Sequence, residues 1–390
     1  MKRIQSPHRY VFLGGQYSLY FGVLGIFLPY FNLYCHHLRF SGFEIGILSA
    51  IRTVATVLFP LFWGALADRY KTRRPIYIGC NFISALAWGL FLLTSDFHWM
   101  LVISLVYGFF YAPLISFLEA FTMDILGAER NRYGRIRMWG SIHFIAAVML
   151  VGWLIDLYSV DIVIMLIFAG SLLQAVVSCG IPRSAPSAVL PSAAEAPRLL
   201  KGRLIVFLIC AFIMLVSHGM YYGFFSIHLE ALGYGKTFVG IAWGLASLAE
   251  IVVMIKSEAI FRRFSIEKVL LVTFAAAVAR WLILAFASSP AVILASQALH
   301  ALTYGAFHVA SILYIDRIVP AEAKTVGQAV NNAVTYGLGI TIGFVVNGYL
   351  FDRIGAFGLF AFSAGVALFG GLLFGGFLAV DPRFGYEEKP

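Results

Sequence analysis

Charge is scarce in this chain. Charged residues make up 12% of its 390 positions and hydrophobic residues 61%, against about 25% and about 45–50% in soluble domains. An ordinary soluble enzyme and a disordered chain are thereby excluded. Cysteine is scarce as well. Cys35, Cys80, Cys179 and Cys210 are widely scattered with no metal-ligand spacing, so neither a disulfide scaffold nor a metal centre is expected. All four lie in or near apolar runs and read as small core residues. There is no His-x-x-x-His, no cysteine cluster and no Gly-x-Ser-x-Gly, which speaks against a membrane enzyme needing a nucleophile–base pair or a metal. The apolar runs are continuous and do not alternate over about ten residues, so a transmembrane β-barrel fits poorly. No small-residue cleavage site follows the basic start (Lys2, Arg3, Arg9), and the first apolar stretch is expected to be retained.

What the chain does have is long apolar runs, each near the roughly 20 residues that a lipid-spanning helix needs. The runs predict twelve helices, over 10–34, 43–67, 75–95, 98–124, 137–156, 160–181, 204–229, 237–259, 267–288, 290–315, 325–349 and 356–379. Helices are required because no other open structure satisfies the backbone in lipid. With the N-terminus on the cytoplasmic side, 22 of the 28 lysines and arginines fall in cytoplasmic segments. Only Arg39, Lys236 and Arg353 fall opposite. This asymmetry predicts an integral protein of the cytoplasmic (inner) membrane with both termini cytoplasmic. It also accounts for the net charge of +9 without nucleic acid as a partner.

The stretch 182–203 is rich in Pro, Ser and Ala and lacks helical periodicity, so it reads as a cytoplasmic linker. It divides the chain into an N-terminal six-helix bundle (1–181) and a C-terminal one (204–390). Short internal similarities support a repeat: Phe43–Ile47 resembles Phe238–Ile241, and Tyr20-Phe21-Gly22 resembles Tyr221-Tyr222-Gly223. The expected fold is thus an all-α polytopic membrane protein of two six-helix bundles, an arrangement in which substrate binds between the halves near mid-membrane. Gly339 and Gly343 have the spacing that lets helices approach closely.

Ionisable residues inside the spans are few: Arg52, Glu119, Glu250, Lys256 and Arg280, with Arg137 at the mouth of span five and His143, His218, His300 and His308 among them. A charge at a helix centre costs about 2.5–3.5 kcal/mol on insertion scales, so such residues usually face a cavity and mark a substrate or ion path. Arg137 and Arg280, one from each half, could bracket an anionic or hydroxyl-rich ligand through bidentate hydrogen bonds. Glu119 would orient or neutralise Arg137. Glu250 is the candidate proton carrier, because burial raises a carboxyl pKa and a nearby arginine lowers it, and a cavity that opens and closes changes both. His300 could relay or sense that proton. Tyr20, Tyr30, Tyr221, Tyr222 and Trp139 could form aromatic walls. Static buried pairing remains an alternative for Glu119 with Arg137 and for Glu250 with Arg280. Arg52 is open between function and a static pair. Lys256 is expected to snorkel, and His143, His218 and His308 to pack.

Three sets of residues carry a family resemblance. Gly64 through Asp68-Arg69-Tyr70-Lys71-Thr72-Arg73-Arg74 resembles the signature loop of the major facilitator superfamily, with Lys71 where that pattern has glycine and the arginine pair one residue late. Asp68, Arg69 and Arg73 are the residues of the expected conformational latch, in which Asp68 pairs with arginine or caps a helix. Glu119-Ala120-Phe121 and Gly134-Arg135-Ile136-Arg137-Met138-Trp139-Gly140, eighteen residues apart from Glu119 to Arg137, resemble the lactose permease group of proton symporters. In that group such a glutamate and arginine bind sugar together. Glu250, Arg280 and His300 match that group's proton and substrate residues. Its carboxylate three residues after the histidine is Thr303 here, and its lysine three before is Gln297.

A resemblance along nearly the whole chain is to the 3-phenylpropionate permease subfamily. It is carried by Tyr20 through Pro29, Tyr133 through Ser141, His218 through Phe224, Ala249-Glu250, Val278 through Trp281 and Leu299-His300. It implies a symporter for uptake of a small, aromatic carboxylate with protons, driven by the proton gradient and with no cofactor or metal. A monomer in the lipid bilayer is expected. The alternatives are an exporter of amphipathic or drug-like molecules, or a sugar or nucleoside symporter, on the same fold. After Ser141 span five contains no proline, unlike the proline- and glycine-rich pattern of many exporters, which favours import. Scattered single charges fit alternating access better than a channel ringed by repeated residues.

Overall fold

The computed structural model describes residues 7–182 and 202–380. The expected linker at 182–203 lies outside the described residues except at its ends. The described residues are overwhelmingly helical, and no strand occurs among them. In chain order the helices are α1 (Pro7–His37), α2 (Gly42–Tyr70), α3 (Arg73–Gly89), α4 (Phe97–Tyr111), α5 (Pro113–Leu126), α6 (Tyr133–Leu157) and α7 (Ile162–Ser178). They continue with α8 (Gly202–Ala231), α9 (Lys236–Arg263), α10 (Ile266–Phe286), α11 (Pro290–Ala298), α12 (Phe307–Ile318), α13 (Lys324–Asn331) and α14 (Ile340–Val380). Nine apolar segments among the described residues are long enough to cross a bilayer. Two of these, Phe97–Leu157 and Ala321–Val380, are long enough to cross twice and break within, at Gly127–Arg132 and at Gly355 (φ 62°). Counting each as two spans and adding the shorter α7 gives twelve, matching the hydropathy reading. The chain is therefore an integral membrane protein.

Local sequence explains where helices start and stop. Ser41 and Glu44 form a capping box at the start of α2: the Glu44 N–H donates to Ser41 Oγ, and the Ser41 N–H donates to the Glu44 carboxylate at 2.8 Å. The carboxylate of Asp96 accepts from the N–H groups of His98 and Trp99 to open α4. Lys71 ends α2 in the left-handed region (φ 51°, ψ 36°), a conformation that favours glycine.

The described residues separate into two compact units, one of residues 7–182 with 224–244, the other of 202–223 with 245–380. In the first unit a buried polar network joins α1, α3 and α7. Tyr77 donates to Gln16 Oε1 (3.1 Å), and Gln174 Nε2 donates to Asn81 Oδ1 (3.0 Å). Trp88, fully buried, donates its indole N–H to the Ile164 carbonyl. Such partners are needed because an unpaired polar group in an apolar interior is costly. At one end of this unit Asp156, the penultimate residue of α6, accepts from the N–H groups of Lys236 and Thr237 and from the Thr237 hydroxyl, each at 2.7 Å. It thereby caps α9. Beside it Glu230 pairs with His37 (2.9 Å) and with Lys236 (2.5 Å).

In the second unit α8 and α14 meet through glycines. A Cβ added to Gly343 would lie 2.9 Å from the Val216 carbonyl oxygen and 3.1 Å from Gly219 Cα, and one on Gly219 would run into the Gly343 backbone. Gly339 likewise faces the Phe212 carbonyl. Both glycines singled out by spacing thus sit where backbones touch. Of the four cysteines, Cys35, Cys80 and Cys210 are buried as expected, whereas Cys179 is exposed, because α7 ends just before it.

Candidate functional site

The second unit holds a chain of three ionisable side chains from three consecutive spans. Arg280, on α10, is fully buried. Its guanidinium donates to His300 Nδ1 (2.6 Å), Gln297 Oε1 (2.9 Å) and Thr303 Oγ1 (3.2 Å). It also lies over the rings of Tyr221 (4.2 Å) and Trp281 (4.9 Å). His300 Nε2 is 2.6 Å from a carboxylate oxygen of Glu250 on α9. A guanidinium can only donate, so Nδ1 must accept, which leaves Nε2–H as the donor to Glu250. His300 is then neutral, and it bridges the guanidinium to the Glu250 carboxyl group. The Glu250 side chain is 20% exposed, whereas that of His300 is 4% exposed. The carboxylate is the end of the chain that meets open space.

Glu250 and Arg280 are therefore not a direct pair; the histidine separates them. Gln297 and Thr303, which stand where the lactose permease group has charges, supply neutral acceptors to Arg280. Sequence comparison identified them only as departures. Tyr222 is half-buried with its ring 6.2 Å from His300, and Tyr221 donates to Gln297. His218 packs against Trp281 and bonds the Met214 carbonyl, and His308 meets the Tyr336 hydroxyl at 2.8 Å.

In the first unit, Glu119 on α5 accepts from the Tyr133 hydroxyl (3.4 Å). No hydrogen bond or ion pair joins it to Arg137, which lies 3.8 Å from the Phe21 ring centroid and 5.6 Å from that of Tyr17. A static Glu119–Arg137 pair is thus not formed, although the carboxylate lies within the field of Arg137. Trp139 is 48% exposed and flanks Gly14 of α1. His143 is exposed rather than packed, since the residues beside it on α6 face outward. Lys256 is exposed, as a snorkelling side chain would be. Tyr30 is buried and donates to the Val148 carbonyl (2.6 Å). Tyr20 stacks on Tyr111 (5.2 Å).

The signature loop forms a partial cluster. Arg73 donates to Asp124 of α5 at 2.9 Å and approaches Asp68 at 3.8 Å. Arg69 lies near the ring of its neighbour Tyr70, and Arg74 caps the end of α7 by donating to the Cys179 and Ile181 carbonyls. Asp124 was missed in the sequence; its signal was an acid at the end of span four facing a basic loop.

A polytopic helical fold with a titratable cluster held at mid-helix defines a membrane transporter. Residues 10–362 match the MFS_1 like family, and the chain belongs to that family. It is 29% identical over 374 residues to the probable 3-phenylpropionic acid transporter of Escherichia coli (strain K12), covering 92% of this chain and 95% of that relative. It is 26% identical over 358 residues to the maltose permease of Geobacillus stearothermophilus, covering 88% and 89%. Its fold is similar to the crystal structure of the nucleoside transporter NupG, with a TM-score of 0.87 at 18% identity over 97% of this chain and 99% of that one. These relatives are all transporters of small molecules, and the chain is a transporter and not an enzyme.

Proposed function

We propose that the protein is a proton-coupled symporter of the cytoplasmic membrane that imports a small organic solute, such as an aromatic carboxylate, by alternating access. Both termini lie in the cytoplasm, and the protein works as a monomer. It needs no cofactor beyond the proton gradient. The observation that carries this reading is the Arg280–His300–Glu250 chain, with its carboxylate end toward open space. A proton arriving on Glu250 cancels the charge to which His300 donates and weakens that charge-assisted bond. His300 is then free to reorient, and Arg280 loses the fixed orientation of its partner. Proton arrival is in this way linked to the hydrogen bonds that hold Arg280. The similarity to a probable 3-phenylpropionic acid transporter supports an aromatic carboxylate as cargo. The similarities to maltose and nucleoside permeases favour a second reading, a sugar or nucleoside symporter working through the same proton site.

Proteoliposomes loaded with purified protein test this. With an imposed gradient of one pH unit and no membrane potential, one-to-one coupling gives up to about tenfold accumulation, the equivalent of about 1.4 kcal/mol. A panel of aromatic acids, maltose and nucleosides identifies the cargo. Glu250→Gln is expected to abolish accumulation while preserving exchange. Gradient-driven uptake unchanged in that variant would refute the role of Glu250.

A further inference from the structure

Arg52 lies in the middle of α2, about ten residues from its start, and its sequence left open whether it pairs. It does not. Among the described residues no hydrogen bond or ion pair ends on its guanidinium, and its Nε is buried without a partner. Its nearest company is aromatic. The guanidinium carbon sits 4.6 Å from the Phe27 ring centroid on α1, and its charge acts on the hydroxyls of Tyr111, Tyr107 and Tyr20. Those three phenols form one stack across α1 and α4: Tyr20 on Tyr111 at 5.2 Å and Tyr111 on Tyr107 at 4.8 Å, with interplanar angles of 9° and 21°. The arginine side chain is only half-buried, so the charge is within reach of open space beside these rings.

The contrast with the other membrane-embedded arginine is instructive. Arg280 has three neutral acceptors on its terminal nitrogens, although its Nε too is buried without a partner, and has a carboxylate one residue further along the chain of bonds. Arg52 has the Phe27 ring face and the nearby phenols, and no carboxylate partner among the described residues. A cation–π contact compensates a charge only in part, and an unneutralised guanidinium at mid-membrane is expensive. A guanidinium presents parallel donors matched to a carboxylate; the half-buried ring of Phe27 beside it offers an apolar face to an aromatic ligand, with the three buried phenols packed behind.

We infer that Arg52, beside Phe27 and backed by the buried Tyr20, Tyr107 and Tyr111, is an anion subsite that takes the carboxylate of a small aromatic acid. The carboxylate binds the free guanidinium nitrogens, and the ligand's ring lies against the aromatic side chains. The subsite lies wholly within the first unit. This inference rests on the proposed cargo class but not on proton coupling. It assigns the anion's anchor to α2, and so predicts discrimination by charge that a sugar- or nucleoside-binding site would lack.

The test compares 3-phenylpropionate with its uncharged isostere 3-phenylpropionamide, by equilibrium binding to purified full-length protein in detergent. The native protein is expected to bind the acid at least tenfold more tightly than the amide. Arg52→Gln should bring the two to within about twofold of each other by weakening the acid alone, and Arg52→Lys should recover part of the preference. Amide binding and unfolding temperature in the same variants report that the fold is intact, and Arg52→Lys stands in should Arg52→Gln fail to fold. An acid preference that survives in Arg52→Gln overturns the inference, as does a native protein that binds neither compound or binds both alike. If the acid binds through Arg52 yet is not accumulated by a pH gradient, the symport reading fails and the subsite stands.

Discussion

Gly219 and Gly365 make a matched pair for testing the packing of the second unit. Both are helical, and alanine gains about 1 kcal/mol over glycine at an unobstructed helix position. At Gly365 nothing lies within 4 Å of an added Cβ, so Gly365→Ala should keep most of that gain. At Gly219 the added methyl would run into the Gly343 backbone. Backbone cannot rotate away as a side chain can, so α8 and α14 must separate or shift. Overpacking a well-fitted contact costs about 1–3 kcal/mol; with the upper end appropriate here, the net loss after the helix gain is about 2 kcal/mol. For a unit of this size about 1 kcal/mol moves the unfolding midpoint by about 2–4 °C. Thermal unfolding of detergent-solubilised protein at a single scan rate, since such unfolding is commonly irreversible, should therefore show Gly219→Ala down by roughly 4–8 °C and Gly365→Ala level or slightly up. Equal shifts in the two variants, or a Gly219→Ala protein as stable as its parent, would refute the claim that backbone contact sets this helix pair.

Two further outcomes follow from helix ends. Lys71→Gly should raise the unfolding temperature, because a side chain in the left-handed region costs about 1–2 kcal/mol that glycine avoids; a lowered midpoint would show that the lysine charge matters more than the strain. Asp156→Ala should leave the Lys236 and Thr237 N–H groups uncapped at a cost of about 1 kcal/mol, discounted for the exposure of this carboxylate. Amide hydrogen exchange at those two residues should then speed up several-fold, and unchanged rates there would dismiss the cap.

The spans were legible because lipid imposes one rule on every segment: a long apolar run and helical backbone. The glycines 339 and 343 were legible for a related reason, since small residues at that spacing have few other uses in a membrane. Partners were harder to read. Residue types left static pairing of Glu250 with Arg280 as an alternative, but three helices converge there and His300 lies between them. Gln297 and Thr303 are neutral and drew notice only as departures, yet they hold the arginine. Asp124 and Asp156 each lie at a helix end, where acids are common, and only tertiary placement distinguishes a partner from a solvated charge. Arg52 was left undecided because sequence cannot show the absence of a counter-ion.

A wide turn in the span after His300 has its own consequence. Residues Ala301–Ala306 form a π-helical stretch between α11 and α12, and i→i+5 bonding brings every fourth side chain closer to eclipse than an α-helix does. The rings of His300, Tyr304 and His308 accordingly stack in file, with centroids 5.4 Å and 6.4 Å apart and interplanar angles of 18° and 7°. Tyr336 closes the column with its hydroxyl on His308. Tyr304 is thus the middle coin in a roll: replacing it with a small residue would unseat the imidazoles above and below it at once, so its loss would look like damage to two histidines.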